Sequence, residues 1–317
     1  MGRFARGIII TLLGAALWGF SGTCSQYLFQ HYAIAPLLVT VIRMLGAAVA
    51  FLVTILVTER EKVTAILHDA PTRRSLVVFG CLGLFLVQVT YVVTVSLTNA
   101  GTATVLQALN IVFCMLAAFI AERRGPRVAE LLAFAAAFTA TILVATGGNL
   151  SSISISTEGL AWGLATAAAA AVYITYPKRM FARWGSFPIT GLGMLIGGLT
   201  ALVAWLVSPA LPPSLAVVLG AGEAFPAMGI DGWLALAAFT FVGTFLAFGL
   251  YLHGISIVGG MRGSMLGTIE PVSAMVISSA WLETSFVPAD WLALVLMVAT
   301  VFLVSVPASK PAEKPVS

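Results

Sequence analysis

Long apolar runs separated by short polar gaps organise this chain. Ten of them are long enough to cross a bilayer: 7–28, 35–57, 74–97, 101–121, 127–146, 158–177, 187–207, 232–252, 262–281 and 288–306. A helix needs about 20 apolar residues to span the hydrocarbon core, and in lipid only closed hydrogen-bonded structures such as helices are stable. The pattern predicts an all-α integral membrane protein with ten transmembrane helices. The first run follows two arginines, as a signal peptide would. It is longer than a signal core, at about 22 residues, and nine similar runs follow it, so it reads as an uncleaved first helix.

The gaps are as regular as the runs. On one side lie Arg3 and Arg6; Arg60, Lys62, Arg73 and Arg74; Arg123, Arg124 and Arg127; Lys178, Arg179 and Arg183; Arg262; Lys310 and Lys314. The opposite gaps hold no lysine or arginine, and Arg43 alone lies inside a run. Basic flanks resist translocation, so both termini are expected on the cytoplasmic side.

An odd number of helices per half permits an inverted repeat, and the residues suggest one. Gly14-Ala15-Ala16-Leu17-Trp18-Gly19 in run 1 resembles Gly159-Leu160-Ala161-Trp162-Gly163 in run 6. Tyr91 and Ser96 match Tyr251 and Ser256 at one offset, which also sets Asn110 opposite Glu270. Ala121-Glu122 and Leu282-Glu283 follow, one residue out of step. Arg123-Arg124-Gly125-Pro126-Arg127 after the first Glu is basic, whereas Thr284-Ser285-Phe286-Val287-Pro288 after the second is not. Loss of positive charge is what inversion requires. The expected organisation is a five-helix repeat at 7–146, an external linker at 147–157, a second repeat at 158–306 and a cytoplasmic tail at 307–317. The longest gap, 208–231, is expected outside, with a short interfacial helix at 214–220.

Composition narrows the class. Of 317 residues, 60% are hydrophobic and 9% charged, with mean hydropathy +1.05. That is too little charge to cover a soluble protein. The net charge of +4 sits in short loops, where topology and anionic headgroups account for it, so no nucleic-acid partner is expected. Cys24, Cys81 and Cys114 lie inside apolar runs without metal-site spacing. No Walker loop, HExxH, GxSxG or dinucleotide fingerprint is present, and neither an enzyme nor a cofactor or metal is expected. Membrane lipid and a small-molecule substrate are the expected partners. The GxxxG pairs Gly193/Gly197 and Gly263/Gly267 suit packing within or between chains, so oligomeric state stays open.

Ionisable residues inside a bilayer are costly and are functional candidates. Glu270 precedes Pro271 and shares a helical face with Gly263, Gly267, Ala274 and Ser278. It reads either as a proton or substrate-cation site or as a buried partner for Arg43. Arg43 reads as a substrate contact, as that structural partner, or as a snorkelling side chain. Thr104, Gln107, Asn110 and Cys114 form one polar stripe in run 4, and Gln88 and Tyr91 stand a turn apart in run 3. They suit a polar solute or hydrogen bonds between helices. Trp18, Trp162 and Tyr173 are candidates for aromatic cavity walls or an interfacial belt.

The ten runs, the two Trp-Gly starts, the intramembrane Arg43, the Glu270-Pro271-Val272 motif and the Leu282-Glu283 ending resemble the EamA-type drug/metabolite transporter superfamily. The resemblance covers about 7–306 as two repeats; Asn110-Ile111 departs from the Glu-Pro pair often found in the first. It implies a multi-pass carrier of the inner or plasma membrane. It also implies a central cavity lined mainly by helices 1, 3, 4, 6, 8 and 9, with helices 5 and 10 peripheral. Glu270, Arg43, Trp18 and Trp162 are carried by the resemblance; Gln88, Tyr91, Gln107 and Asn110 come from stripe geometry. The expected function is secondary transport, as an alternating-access exporter of small metabolites such as amino acids, with proton coupling or facilitation as alternatives. Multidrug efflux of cationic aromatic compounds is the rival.

Overall fold

The ten runs form ten helices. A computed structural model describes residues 2–123, 125–150, 154–223 and 225–305, and no strand occurs among them. We label the helices α1 (Arg3–His31), α2 (Pro36–Thr58), α3 (Ala70–Leu97), α4 (Ala100–Ala108 and Asn110–Glu122), α5 (Val128–Thr146), α6 (Thr157–Thr175), α7 (Ser186–Val207), α8 (Ile230–Val258), α9 (Gly260–Gly267 and Ile269–Leu282) and α10 (Pro288–Ser305). Among the described residues nine spans have the length and hydropathy to cross a membrane, and α10 is a shorter apolar helix. Arg124, the linker residues 151–153 and the tail with Lys310 and Lys314 lie outside the described residues, as does the side chain of Glu122. The long loop carries its expected helix at Pro213–Leu219, ended by Gly220 in a left-handed conformation.

Polar side chains set the helix starts. Asn99 caps α4 by accepting from the Thr102 N–H at 2.8 Å, and Ser156 caps α6 by accepting from Gly159 N–H at 3.0 Å. Pro36 opens α2, where its missing N–H costs nothing. Val49, Val53, Val57, Leu82, Leu131, Phe138 and Val203 all point outward. So many exposed apolar side chains suit lipid rather than water as the solvent.

The two halves share their irregularities as well as their helices. α1 packs on α8 and α9, and α6 packs on α3 and α4; α2 pairs with α7, and α5 with α10. Exchanging each helix for the one five places on leaves this set unchanged. α3 contains a π-helical stretch at Phe79–Phe85, and α8 contains one at Ala238–Leu246, its equivalent by the Tyr91/Tyr251 offset. α4 breaks at Leu109 and α9 at Thr268. The ends match too: among the described residues, Arg123 and Glu283 are the two non-glycine residues in left-handed conformation, at φ 49° and 51°. The helix ends pair Arg123 with Glu283 at the Tyr91/Tyr251 offset, while the two breaks fall one residue short of it. The GxxxG pair Gly193/Gly197 is consumed inside the chain, against Phe79, Leu84 and Met44.

On the side of the basic loops, Arg183 grips Asp69 with two nitrogens, at 3.1 and 3.2 Å. Thr72 donates to the same carboxylate, and Trp184 Nε1 donates to Thr72 at 3.0 Å. The Thr72 hydrogen bonds and the guanidinium hold the Asp69 carboxyl below its ordinary range. A depressed carboxyl stabilises the fold above its unfolded pKa and loses that effect only as pH falls through the folded value. Near neutrality the pair is therefore constant. Because it is exposed, Arg183→Ala is expected to lower Tm by no more than about 3 °C, with the difference disappearing in acid. A larger drop in a detergent melting curve would mean that this tie clamps the two loops.

Candidate functional site

A cavity of about 370 Å³ lies among the helices. Of the nine residues expected as substrate contacts, eight line it, Trp18, Arg43, Gln88, Tyr91, Gln107, Asn110, Tyr173 and Glu270, and so does Thr104 of the run-4 stripe. Trp162 does not. It is half-buried with Leu37, Val89, Val93 and Leu219, beside the Pro213–Leu219 helix. Its likeness to Trp18 in sequence is not matched in position, because Trp162 packs into an apolar cluster that includes Val89 and Val93 of α3. Cys114 is also outside the lining.

The break in α9 presents Glu270. Pro271 has no N–H to give to the Gly267 carbonyl four residues back, and the helix is interrupted at Thr268. Glu270 stands at the start of the resumed helix, and Gln107 donates to it at 3.3 Å. In α4 the equivalent break uses a side chain instead: Asn110 donates to the Gln107 carbonyl at 2.9 Å. One motif thus supplies a carboxylate in the second half and an amide in the first.

Arg43 is held by α1 and α8. Its Nε donates to Thr244 at 2.7 Å and its Nη2 to Ser21 at 3.3 Å. The guanidinium carbon lies 4.3 Å from the centre of the Phe239 ring. The π-helical stretch of α8 positions Thr244, whose hydroxyl bonds the Phe239 carbonyl five residues back at 3.0 Å. Such stretches recur at functional sites. Among the described residues Arg43 forms no ion pair within 4.0 Å, so the direct Arg43–Glu270 pair is not made. Snorkelling is excluded as well, since Arg43 is 4% exposed.

Aromatic rings form one wall. Trp18 packs on Phe248 with centroids 4.9 Å apart and on Tyr251 at 4.5 Å. Tyr173 meets Phe248 at 6.2 Å and Phe79 at 6.0 Å. Tyr251 donates to the Gly263 carbonyl at 3.0 Å. Phe248 and Tyr251 were not anticipated as site residues, although Tyr251 was legible as the counterpart of Tyr91. α10 also contributes Met297, Val298 and Val301. The expected peripheral position of helix 10 is therefore corrected: packed on α5, it closes the cavity with apolar side chains.

The cavity reaches from Arg43 and Tyr91 toward the basic loops, where Phe181, Ile255 and Val301 line it. At the other face the helices are tied shut. Gln26 donates to Thr284 at 2.8 Å and accepts from the Ala100 N–H at 2.9 Å. Tyr27 and Tyr32 donate to one oxygen of Asp231 at 2.5 and 2.6 Å. Tyr27 stacks on Trp281 at 5.3 Å. Donation to Asp231 holds the Tyr32 hydroxyl above the ordinary phenol range. Asp231 had read as a loop residue, and nothing in the sequence linked it to two tyrosines.

Helices in two like sets around a largely apolar cavity that holds a few buried polar and charged groups define a membrane carrier. The chain belongs to the EamA-like transporter family, whose model matches residues 5–146 and 157–306. It is 36% identical over 307 residues to a Salmonella typhimurium (strain LT2) protein named "Uncharacterized inner membrane transporter YicL", covering 96% of this chain and 97% of that one. A solved crystal structure, 17% identical, superposes with a TM-score of 0.61 over 95% of this chain and 96% of the other. At that identity the likeness concerns the fold alone.

Proposed function

We propose that the protein is a secondary exporter of small amphipathic metabolites of the amino-acid kind, working by alternating access in the inner membrane. Glu270 carries this reading. It is the one carboxylate among the described residues that line the cavity, and a helix break presents it there. Intramembrane carboxylates mark substrate and proton paths. The two five-helix sets, read as inverted halves, rock about the cavity. The basic loops put both termini in the cytoplasm. The cavity then faces the cytoplasm while the Asp231–Tyr27–Tyr32 tie seals the outside. Trp18, Gln88, Tyr91, Gln107, Asn110 and Tyr173 contact the solute with Arg43 and Glu270; Trp162 is left out of this set. The inner-membrane setting is supported by the name of the Salmonella relative.

The aromatic wall beside Glu270 also favours a second reading, efflux of cationic aromatic compounds. Proteoliposome flux distinguishes them. Labelled phenylalanine and one aromatic cation are followed with and without an imposed pH gradient. We expect gradient-driven movement of phenylalanine that a protonophore stops. A phenylalanine rate indifferent to the gradient would replace proton coupling with facilitation or exchange. Movement of the cation alone would favour the efflux reading.

A further inference from the structure

Three buried donors on the cavity wall lack hydrogen-bond partners: Arg43 Nη1, Gln88 Nε2 and the Tyr91 hydroxyl. Their residues are 4%, 6% and 5% exposed. A donor buried without an acceptor carries its full desolvation cost, and a charged one carries more. One such atom in a membrane helix bundle would be unremarkable; three on neighbouring helices α2 and α3, lining one cavity, are a set. Gly22 of α1 leaves room for the Tyr91 hydroxyl, which would collide with any Cβ at that position. The Arg43 charge, Tyr91 and Glu270 lie within electrostatic range of one another.

From these observations we infer that Arg43, Gln88 and Tyr91 form an anchor for the carboxylate of the transported solute, with Glu270 receiving its ammonium group. The inference rests on the transport reading above and fixes how the solute lies in the cavity. A carboxylate offers two oxygens with about four lone-pair directions, enough for all three donors. Arg43 has only one nitrogen free, because Nε and Nη2 already serve Thr244 and Ser21. Arg43 is also the only cation among the described lining residues, so the site suits a single negative charge better than a phosphate dianion. With Glu270 the lining is neutral overall, which matches a zwitterion. Trp18, Tyr173, Phe248 and Tyr251 accommodate an aromatic or apolar body. A cation without a carboxylate leaves the three donors unmet.

The test compares phenylalanine with phenethylamine, which lacks only the carboxylate. Binding to the purified full-length protein in detergent is read by ligand-induced thermal shift and titration calorimetry. We expect phenylalanine to bind at least about tenfold more tightly, since a hydrogen bond to a charged group carries roughly that factor. Tyr91→Phe and Gln88→Met should each weaken phenylalanine about tenfold and leave phenethylamine unchanged. The ligand-free variants should melt no lower than wild type, because each removes an unmet buried donor. Equal binding of the two probes, no binding of phenylalanine, or unchanged phenylalanine affinity in both variants would overturn the anchor. So would a ligand-free Tm that falls along with binding, which would give the hydroxyl a structural partner. Flux is measured separately. Discrimination in binding without flux would sink the transport reading alone, whereas flux that ignores the carboxylate would sink the anchor alone.

Discussion

Glu270→Gln is expected to cut gradient-driven flux by about tenfold or more while leaving the protein folded. Glutamine keeps the shape of the side chain and can still accept from Gln107, whose amide reaches Glu270 at 3.3 Å. What it loses is the negative charge and the capacity to exchange a proton. No ion pair within 4.0 Å ties Glu270 to Arg43 among the described residues. Removing the carboxylate therefore does not strand a directly paired cation, which would otherwise destabilise the fold. The expected outcome is a melting temperature near wild type and a loss of gradient-driven phenylalanine flux of roughly tenfold or more, the factor for losing a charge-assisted contact. Residual exchange of solute in the absence of a gradient would separate a proton role from a binding role. Flux unchanged by the substitution would make Glu270 a structural residue of the α9 break.

Some of the site could be read in the sequence because membranes impose strict conditions. A charge in hydrocarbon must have a reason, so Arg43 and Glu270 stood out without any knowledge of packing. Helical spacing put Gln107 and Asn110 on one face, and both line the cavity. The ten helices were legible for the same reason, since each needs a run of bilayer length. Apolar lining was not legible. Met297, Val298 and Val301 of α10 look like any lipid-facing residues until the neighbouring helix is placed. Trp162 failed for a different reason: a repeat in sequence does not make the two halves equivalent around a single cavity. Trp18 meets Phe248 and Tyr251 of α8, while Trp162 packs against an apolar cluster that includes Val89 and Val93 of α3. The π-helical stretches shift the helix register in α3 and α8, and no residue pattern announced them.

The second large effect is expected at Gly19, where α1 meets the break in α9. A Cβ there would stand 2.5 Å from the Glu270 carbonyl and 2.6 Å from the Ala274 nitrogen, and it would also collide with the Ser273 hydroxyl. Ser273 can rotate, but the two backbone atoms cannot leave without moving α9. That movement would also break the bond from Ser273 to the Ala16 carbonyl, at 3.2 Å. Overpacking a tight contact costs about 1–3 kcal/mol, occasionally more, and Gly19→Val adds branching to a site that does not admit one carbon. We expect a much smaller folded fraction on gel filtration, a lower Tm, and no flux from what remains, because the displaced backbone is the one that positions Glu270. Gly249→Ala is the matched control. The nearest atom to its added carbon is 3.7 Å away on the Phe187 ring, and alanine in a helix gains up to about 1 kcal/mol over glycine. It should therefore melt at or above the wild-type temperature. Equal stability for Gly19→Val and Gly249→Ala would show that α1 and α9 are not in the close contact on which this site depends.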